Sequence, residues 1–314
     1  MCGLFGFYNY GKKPIKDLRD LTNSLAREAL VRGTDATGIA YCDDGKLVIH
    51  KEPKSAVEID FKHPDSVVAV MGHTRHATQG KEIFNYNNHP FSGTCKNMNF
   101  ALAHNGVLSN DRELKKKFNL PKTKIETDSY VAVQLLRHRK KLNIKNLKFM
   151  AEQVRGSFAF TVLGTDNVLR FIRGDSPLSL FHFPEEKIYV YASTESILFK
   201  GIIDTWLLKY ITSGRFEKLE IKSGEIVSIY QDGTLTRHNF EYKETSYGRY
   251  NWWNYGCYST GYFYDEDYYS ESSYIEDLKS VAKAYGYDET DVNNLLRDGF
   301  TPEEIEEYIY CAEY

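Results

Sequence analysis

Short apolar segments bounded by turn residues dominate residues 2–238, and too few helical stretches separate them for a doubly wound parallel sheet. Strands are predicted at 2–8, 37–42, 46–50, 67–72 and 100–104, then at 157–163, 168–172, 180–183 and 188–192. Late strands follow near 217–221, 226–230 and 234–238, with Asp43-Asp44-Gly45 and Gln231-Asp232-Gly233 as turns. Helices are predicted over 14–31, where Leu18, Leu21 and Leu25 share a face, and over 111–118, 128–137 and 144–154. A further short helix opens near Glu195. The pattern implies sheets covered by helices.

The remainder has a different composition. Residues 239–314 carry 17 acidic and 5 basic side chains, and 15 of the 24 tyrosines lie after residue 238. Residues 239–274 are predicted to be a flexible linker rich in Tyr, Gly and acidic residues. Residues 275–314 are predicted to be a small three-helix module, with helices at 275–285, 288–297 and 301–311, the last opened by Thr301-Pro302-Glu303-Glu304. That module loosely resembles a ubiquitin-associated-type bundle. An acidic tail on a basic body can fold back, bind a partner or simply keep the chain soluble, and the last is the plainest reading.

Several function classes are disfavoured. No apolar run is long enough to span a bilayer and the first residues carry no secretory signal, so a cytoplasmic protein is expected. The five cysteines, at 2, 42, 95, 257 and 311, form no CxxC pair or Cys/His cluster, so no metal site is expected and most are free thiols. Neither a phosphate-cradling loop nor a nucleic-acid reader motif is present, and no cofactor is expected.

Position 2 carries the chemistry. Removal of Met1 would leave Cys2 with a free α-amine of pKa about 7.7–8.0, so one residue would hold both a nucleophilic sulfur and a base. Amide hydrolysis then needs donors for the developing oxyanion, and Asn105-Gly106 offers a side-chain amide beside a backbone N–H. Alone, Asn-Gly is merely a turn. An amino-acid substrate also needs its charged end held. Arg75 suits an α-carboxylate and Asp128 an α-ammonium, although a surface salt bridge and a helix cap are the plain alternatives.

The set Met-Cys-Gly-Leu-Phe-Gly, Arg32-Gly33-Thr34-Asp35-Ala36-Thr37-Gly38, His73-Thr74-Arg75-His76-Ala77-Thr78, Asn88-His89-Pro90, His104-Asn105-Gly106 and Glu126-Thr127-Asp128 resembles the glutaminase domain of class II glutamine amidotransferases. These are N-terminal-nucleophile hydrolases, and the likeness is to the glutaminase half of glucosamine-6-phosphate synthase. It continues through Arg155-Gly156-Ser157, Arg173-Gly174-Asp175 and Ala192-Ser193-Thr194-Glu195. The resemblance implies an α+β, four-layer αββα sandwich over residues 2–238. It implies Cys2 as nucleophile and, through its amine, base, with Asn105 and Gly106 as the oxyanion hole. Arg75, Asp128 and Thr78 would grip the glutamine, and His89 would lie in a loop that closes over it. Arg32 and Gly33 would pack behind the nucleophile. Relatives have Trp where this chain has His76, which leaves hydrolysis intact and bears on ammonia gating. His73 and His104 read as structural, and Cys42 and Cys95 as small apolar side chains.

The expected activity is hydrolysis of glutamine to glutamate and ammonia, passed to a separate synthase docked in trans through the acidic tail. A different γ-glutamyl amide, or an inactive binding module on the same fold, are the alternatives. Nucleic acid and membrane are not expected partners.

Overall fold

In a computed structural model of the chain every residue of β1 (Gly3–Asn9) is buried, so this strand must be covered on both faces. The structure describes residues 2–11, 15, 17–243, 279, 288–297 and 305. Two compact units divide the chain, Met1–Tyr247 and Gly248–Tyr314.

In the first unit β1 is followed by α1 (Leu18–Ala29), β2 (Ala36–Asp43), β3 (Lys46–Glu52), β4 (Ala69–Arg75), β5 (Phe91–Thr94) and β6 (Asn99–Leu108). Next come α2 (Asp111–Lys117), α3 (Tyr130–His138), α4 (Ile144–Gln153), β7 (Gly156–Gly164), β8 (Leu169–Arg173), β9 (Ser179–Phe183) and β10 (Ile188–Ala192). The unit closes with α5 (Glu195–Ile203), α6 (Leu208–Thr212), β11 (Glu217–Leu219), β12 (Glu225–Ile229) and β13 (Leu235–Asn239). A seven-stranded sheet runs β11-β9-β10-β1-β4-β2-β3 and a six-stranded sheet runs β13-β12-β8-β7-β6-β5. Their strand pairs are antiparallel.

Period-2 patterning explains the layering, because alternate residues of one strand face opposite sides. From β1, Leu4 and Tyr8 join Met71 of β4 and Ala40 of β2 against Ala103, Ala159, Phe171 and Val227 of the other sheet. From the same strand, Phe5 and Phe7 turn outward onto Leu21 and Leu25 of α1 and Leu198 of α5. On the six-stranded sheet, Phe100, Phe158 and Phe160 turn outward onto Leu114, Val131, Leu135 and Leu147 of α2, α3 and α4. The order through the unit is therefore helices, sheet, sheet, helices.

Several expected elements have different bounds, α1 and β6 among them. α1 begins at Leu18, ends at Ala29 and tightens into a 3-10 turn over Leu30–Arg32; Pro14 lies outside the described residues. The strand expected to stop at 104 runs on to Leu108, since β7 pairs with it residue by residue as far as Leu108↔Gly156. Asn105-Gly106 is therefore mid-strand and not a turn.

In the second unit α7 (Glu289–Arg297) matches the helix predicted at 288–297. Asp288 opens it, its Oδ1 accepting from Thr290 N at 2.7 Å and from Asp291 N at 3.0 Å. Val292 and Ile305 are buried, with Leu295 and Leu296 packed on them. The helices predicted at 275–285 and 301–311, the Tyr-rich segment from 244 to 274, and Cys257 and Cys311 lie outside the described residues, save the single positions Lys279 and Ile305.

Gly72 sits opposite Phe5 in the β1–β4 pair, and a Cβ there would fall 2.2 Å from the Phe5 ring. The ring is fully buried and has nowhere to retreat. Gly72→Ala should lower stability by about 1–3 kcal/mol, seen as a lower urea midpoint at unchanged slope.

Candidate active site

Cys2 leads directly into β1 at one end of the seven-stranded sheet. Its carbonyl accepts a hydrogen bond from Arg32 Nε at 2.9 Å, and its half-buried Sγ lies 3.6 Å from the His76 carbonyl. Gly33 presses its backbone on the neighbouring chain, where a Cβ would meet Arg75 C at 2.3 Å and His76 N at 2.5 Å. Only glycine permits that approach. Burial raises the Cys2 thiol pKa; a His76 backbone hydrogen bond and the Arg75 charge oppose the rise, and the Asp128 carboxylate adds to it. A thiol in that state is a poor nucleophile until a base takes its proton.

Arg75 ends β4 and is 2 % exposed, which rules out the surface salt bridge. Its Nη1 donates to Asn88 Oδ1 at 2.6 Å, and its Nη2 to the carbonyls of Gln79 and Gly80, each at 2.7 Å. The next residues are fixed from below, Ala77 N donating to Asp35 Oδ2 at 2.7 Å, with exposed His76 3.9 Å from the same oxygen. Thr78 is exposed on this turn.

Fully buried Asn87 ties a second loop to a third. Its Nδ2 donates to Glu126 Oε2 at 2.9 Å, its Oδ1 accepts from Glu126 N at 3.0 Å, and its carbonyl accepts from Thr127 Oγ1 at 3.0 Å. Gln79 Nε2 closes the circuit onto the Glu126 carbonyl at 2.9 Å. The three loops around 75–80, 85–89 and 126–128 therefore form one hydrogen-bonded frame.

Asp128 leaves that frame toward β6. Its Oδ2 accepts from Leu108 N at 2.6 Å and its Oδ1 from Ser129 Oγ at 3.3 Å. The carboxylate caps the strand's backbone and not helix α3, which has Ser129 as N-cap and no side-chain cap. Within β6, Gly106 has φ +134°, and a Cβ would lie 2.0 Å from the Ser157 carbonyl. The kink is open only to glycine. Beside it, Asn105 Nδ2 lies 3.5 Å from Ser193 Oγ.

Beneath these groups lie three buried histidines. His73 Nε2 donates to the His104 carbonyl at 3.0 Å, joining β4 to β6 across the two sheets. His104 meets Ser129 Oγ at 2.7 Å through Nδ1 and Ser157 O at 3.3 Å through Nε2. His89, before a cis peptide to Pro90, is wedged between His73 at 4.1 Å and Phe91 at 4.3 Å. It is 3 % exposed with neither ring nitrogen hydrogen-bonded, so it sits under the loop frame and not on the outside of a loop. Lys51, pushed down to about 8 by burial and the Arg75 charge, donates to the carbonyls of Asn88 at 2.5 Å and Pro90 at 3.1 Å. Among the described residues no group of three or more His, Cys, Asp or Glu side chains is placed to hold a metal ion.

The structure thus places Cys2, Arg32, Gly33, Arg75 and His76 at one end of the seven-stranded sheet, and Asn105 and Gly106 in β6 of the other. Asp128 links the loop frame to β6. Sequence reasoning passed over Asn87, Asn88, Asp35, Ser129 and Ser193. Asp35, Asn88 and Ser193 stood inside quoted motifs with no role assigned to them, and Asn87, just ahead of one, gives no sign in one dimension that its partners lie about forty residues away.

Residues 73–200 match the family model of a glutamine amidotransferase domain, GATase_7. It is homologous to glutamine–fructose-6-phosphate aminotransferases. That of Pyrobaculum aerophilum is 32% identical over 190 residues, 57% of this chain and 30% of the relative. That of Chlamydia trachomatis is 28% identical over 258 residues, 77% of this chain and 38% of the relative. The chain spans about a third of the length of these curated relatives. The fold is shared with two solved structures. A glutamine phosphoribosylpyrophosphate amidotransferase from B. subtilis superposes with TM-score 0.57 at 24% identity, over 77% of this chain and 50% of that one. The structure titled the allosteric regulatory enzyme of purine biosynthesis gives TM-score 0.59 at 22% identity with the same coverage. Among the described residues no helix is long and apolar enough to cross a membrane.

Burial holds His73 down to about 3, His89 well below its ordinary value and His104 below it as well. The unfolded chain takes up these protons near pH 6.5, while in the folded chain His73 stays neutral down to about pH 3 and His89 and His104 also protonate at lower pH than when unfolded. Stability is therefore complete above about pH 6.5 and is lost as pH falls below it, by up to about 2 kcal/mol from His73 alone by pH 5, with His89 and His104 acting in the same direction. Urea unfolding from pH 7 to 5 should show this slope, and His89→Phe should flatten it.

Proposed function

We propose that this chain hydrolyses the side-chain amide of glutamine to glutamate and ammonia, with Cys2 as nucleophile once Met1 is removed. The observation that supports the reading is that Cys2 lies within reach of the charges of buried Arg75 and buried Asp128, with Asp128 bonded to the strand that carries the glycine-kinked Asn105-Gly106 pair.

The neutral α-amine of Cys2 takes the thiol proton as the sulfur attacks the carboxamide carbon. The tetrahedral oxygen gains donors from Asn105 Nδ2 and Gly106 N–H. The amine returns its proton to the leaving nitrogen, the C–N bond breaks and ammonia departs, leaving a thioester. Water then attacks that carbonyl, giving one proton to the amine, and the sulfur leaves as glutamate forms. Arg75 and Asp128 are assigned to the α-carboxylate and α-ammonium, with Thr78 beside them, and a bound α-carboxylate would have to share a guanidinium already committed to Asn88, Gln79 and Gly80. His89 supports that grip from beneath. Arg32 and Gly33 fix the turn behind Cys2. The four-layer αββα sandwich is the scaffold, and residues 239–274 and 275–314 are assigned as linker and helical module.

Ammonia delivered to a separate synthase, with the acidic tail as docking element, is the larger role we infer. The homology to proteins named aminotransferases supports it.

Purified protein whose Met1 has been removed, checked by mass spectrometry, should turn over glutamine faster than γ-glutamyl amides. Cys2→Ala should lower the rate about a thousandfold or more, and kcat/KM should climb between about pH 6 and 8 as the α-amine becomes neutral. Processed protein that leaves glutamine intact and takes no adduct from a glutamine-like diazoketone would sink the reading.

A further inference from the structure

Ser193 closes β10 and is fully buried, yet no apolar role accounts for a hydroxyl there. It clasps the nucleophile's strand twice: its Oγ accepts from Leu4 N at 2.8 Å, and its own N donates to the Leu4 carbonyl at 2.9 Å. The same Oγ is 3.5 Å from Asn105 Nδ2, which belongs to the opposite sheet. One hydroxyl therefore touches both the strand that directly follows Cys2 and the side chain assigned to the oxyanion.

We propose that Ser193 is a positioning residue that sets the amide of Asn105 relative to Cys2. An asparagine amide has two N–H bonds in one plane. Committing one to Ser193 fixes the rotation about χ2 and so fixes where the other points. Ser193 is registered to Leu4, two residues beyond Cys2, so the free N–H is aimed in the frame of the nucleophile's own strand. At 3.5 Å the bond is long, and contacts of this kind often tighten in a reacting complex. Loss of the hydroxyl should leave glutamine binding alone, because the oxyanion exists only after attack.

This inference rests on the assignment of Asn105 made above. Ser193→Ala should lower kcat for glutamine roughly 10- to 100-fold, with KM within about twofold, since a misaimed donor does less harm than a deleted one. Asn105→Ala should cost about 100- to 1000-fold. The double variant should be no slower than Asn105→Ala, because a residue acting only through Asn105 has nothing left to act on. Labelling of Cys2 by the diazoketone should proceed in Ser193→Ala at the wild-type rate, as alkylation of the sulfur needs no oxyanion donor. Full kcat in Ser193→Ala, multiplying losses in the double variant, or labelling that falls in step with kcat would each overturn the proposal. Wild-type protein without glutamine turnover would overturn the assigned function and this inference together. An active wild type beside a fully active Ser193→Ala overturns this inference alone.

Discussion

Two sheets that meet through apolar side chains share no backbone ladder, so their relative placement has to come from other contacts. Here the assembled site depends on that placement. Cys2 and Arg75 extend from the seven-stranded sheet, while Asn105 and Gly106 belong to the six-stranded one. Hydrophobic burial is non-directional and would tolerate a small slide of one sheet on the other. The His73 hydrogen bond to the His104 carbonyl is directional, dry and positioned one residue before Asn105. A buried bond of this kind is costly to break unmatched, which makes the register between β4 and β6 stiff at the point where chemistry would require it. Neutral histidine is well suited, because it donates without bringing a charge into the core.

The loop frame works by the same economy. Three connections that could move independently are tied by Asn87, Asn88 and Gln79, mostly through backbone carbonyls and amides. Backbone partners vary little with side-chain rotamer, so Arg75 and Asp128 are held from several directions at once. Lys51 adds a cation under the carbonyls of Asn88 and Pro90, further constraining the loop whose side chains hold Arg75.

Much of the fold was legible because β1, β4, β7 and β10 are dense in apolar residues and bounded by turns. β5 was missed because Phe91-Ser92-Gly93-Thr94 has one large apolar residue and a glycine, and it forms only as the edge partner of β6. α6 was missed for a similar reason: at Leu208–Thr212 it is barely more than one turn, and tertiary packing of Tyr210 decides it. In the site, residue types announced their chemistry while their partners did not. Arg75 and Asp128 carry alternatives in one dimension that only burial and hydrogen bonding remove, and Ser193 is unremarkable until Leu4 and Asn105 are seen on either side of it.

The pairing of β1 starts at Gly3↔Thr74, one residue beyond Cys2, and Cys2 itself is secured through its carbonyl by Arg32. The paired residues of β1 thus begin just after the proposed nucleophile. The removal of Met1 proposed above would change the charge at Cys2, outside the strand's paired residues from Gly3 onward.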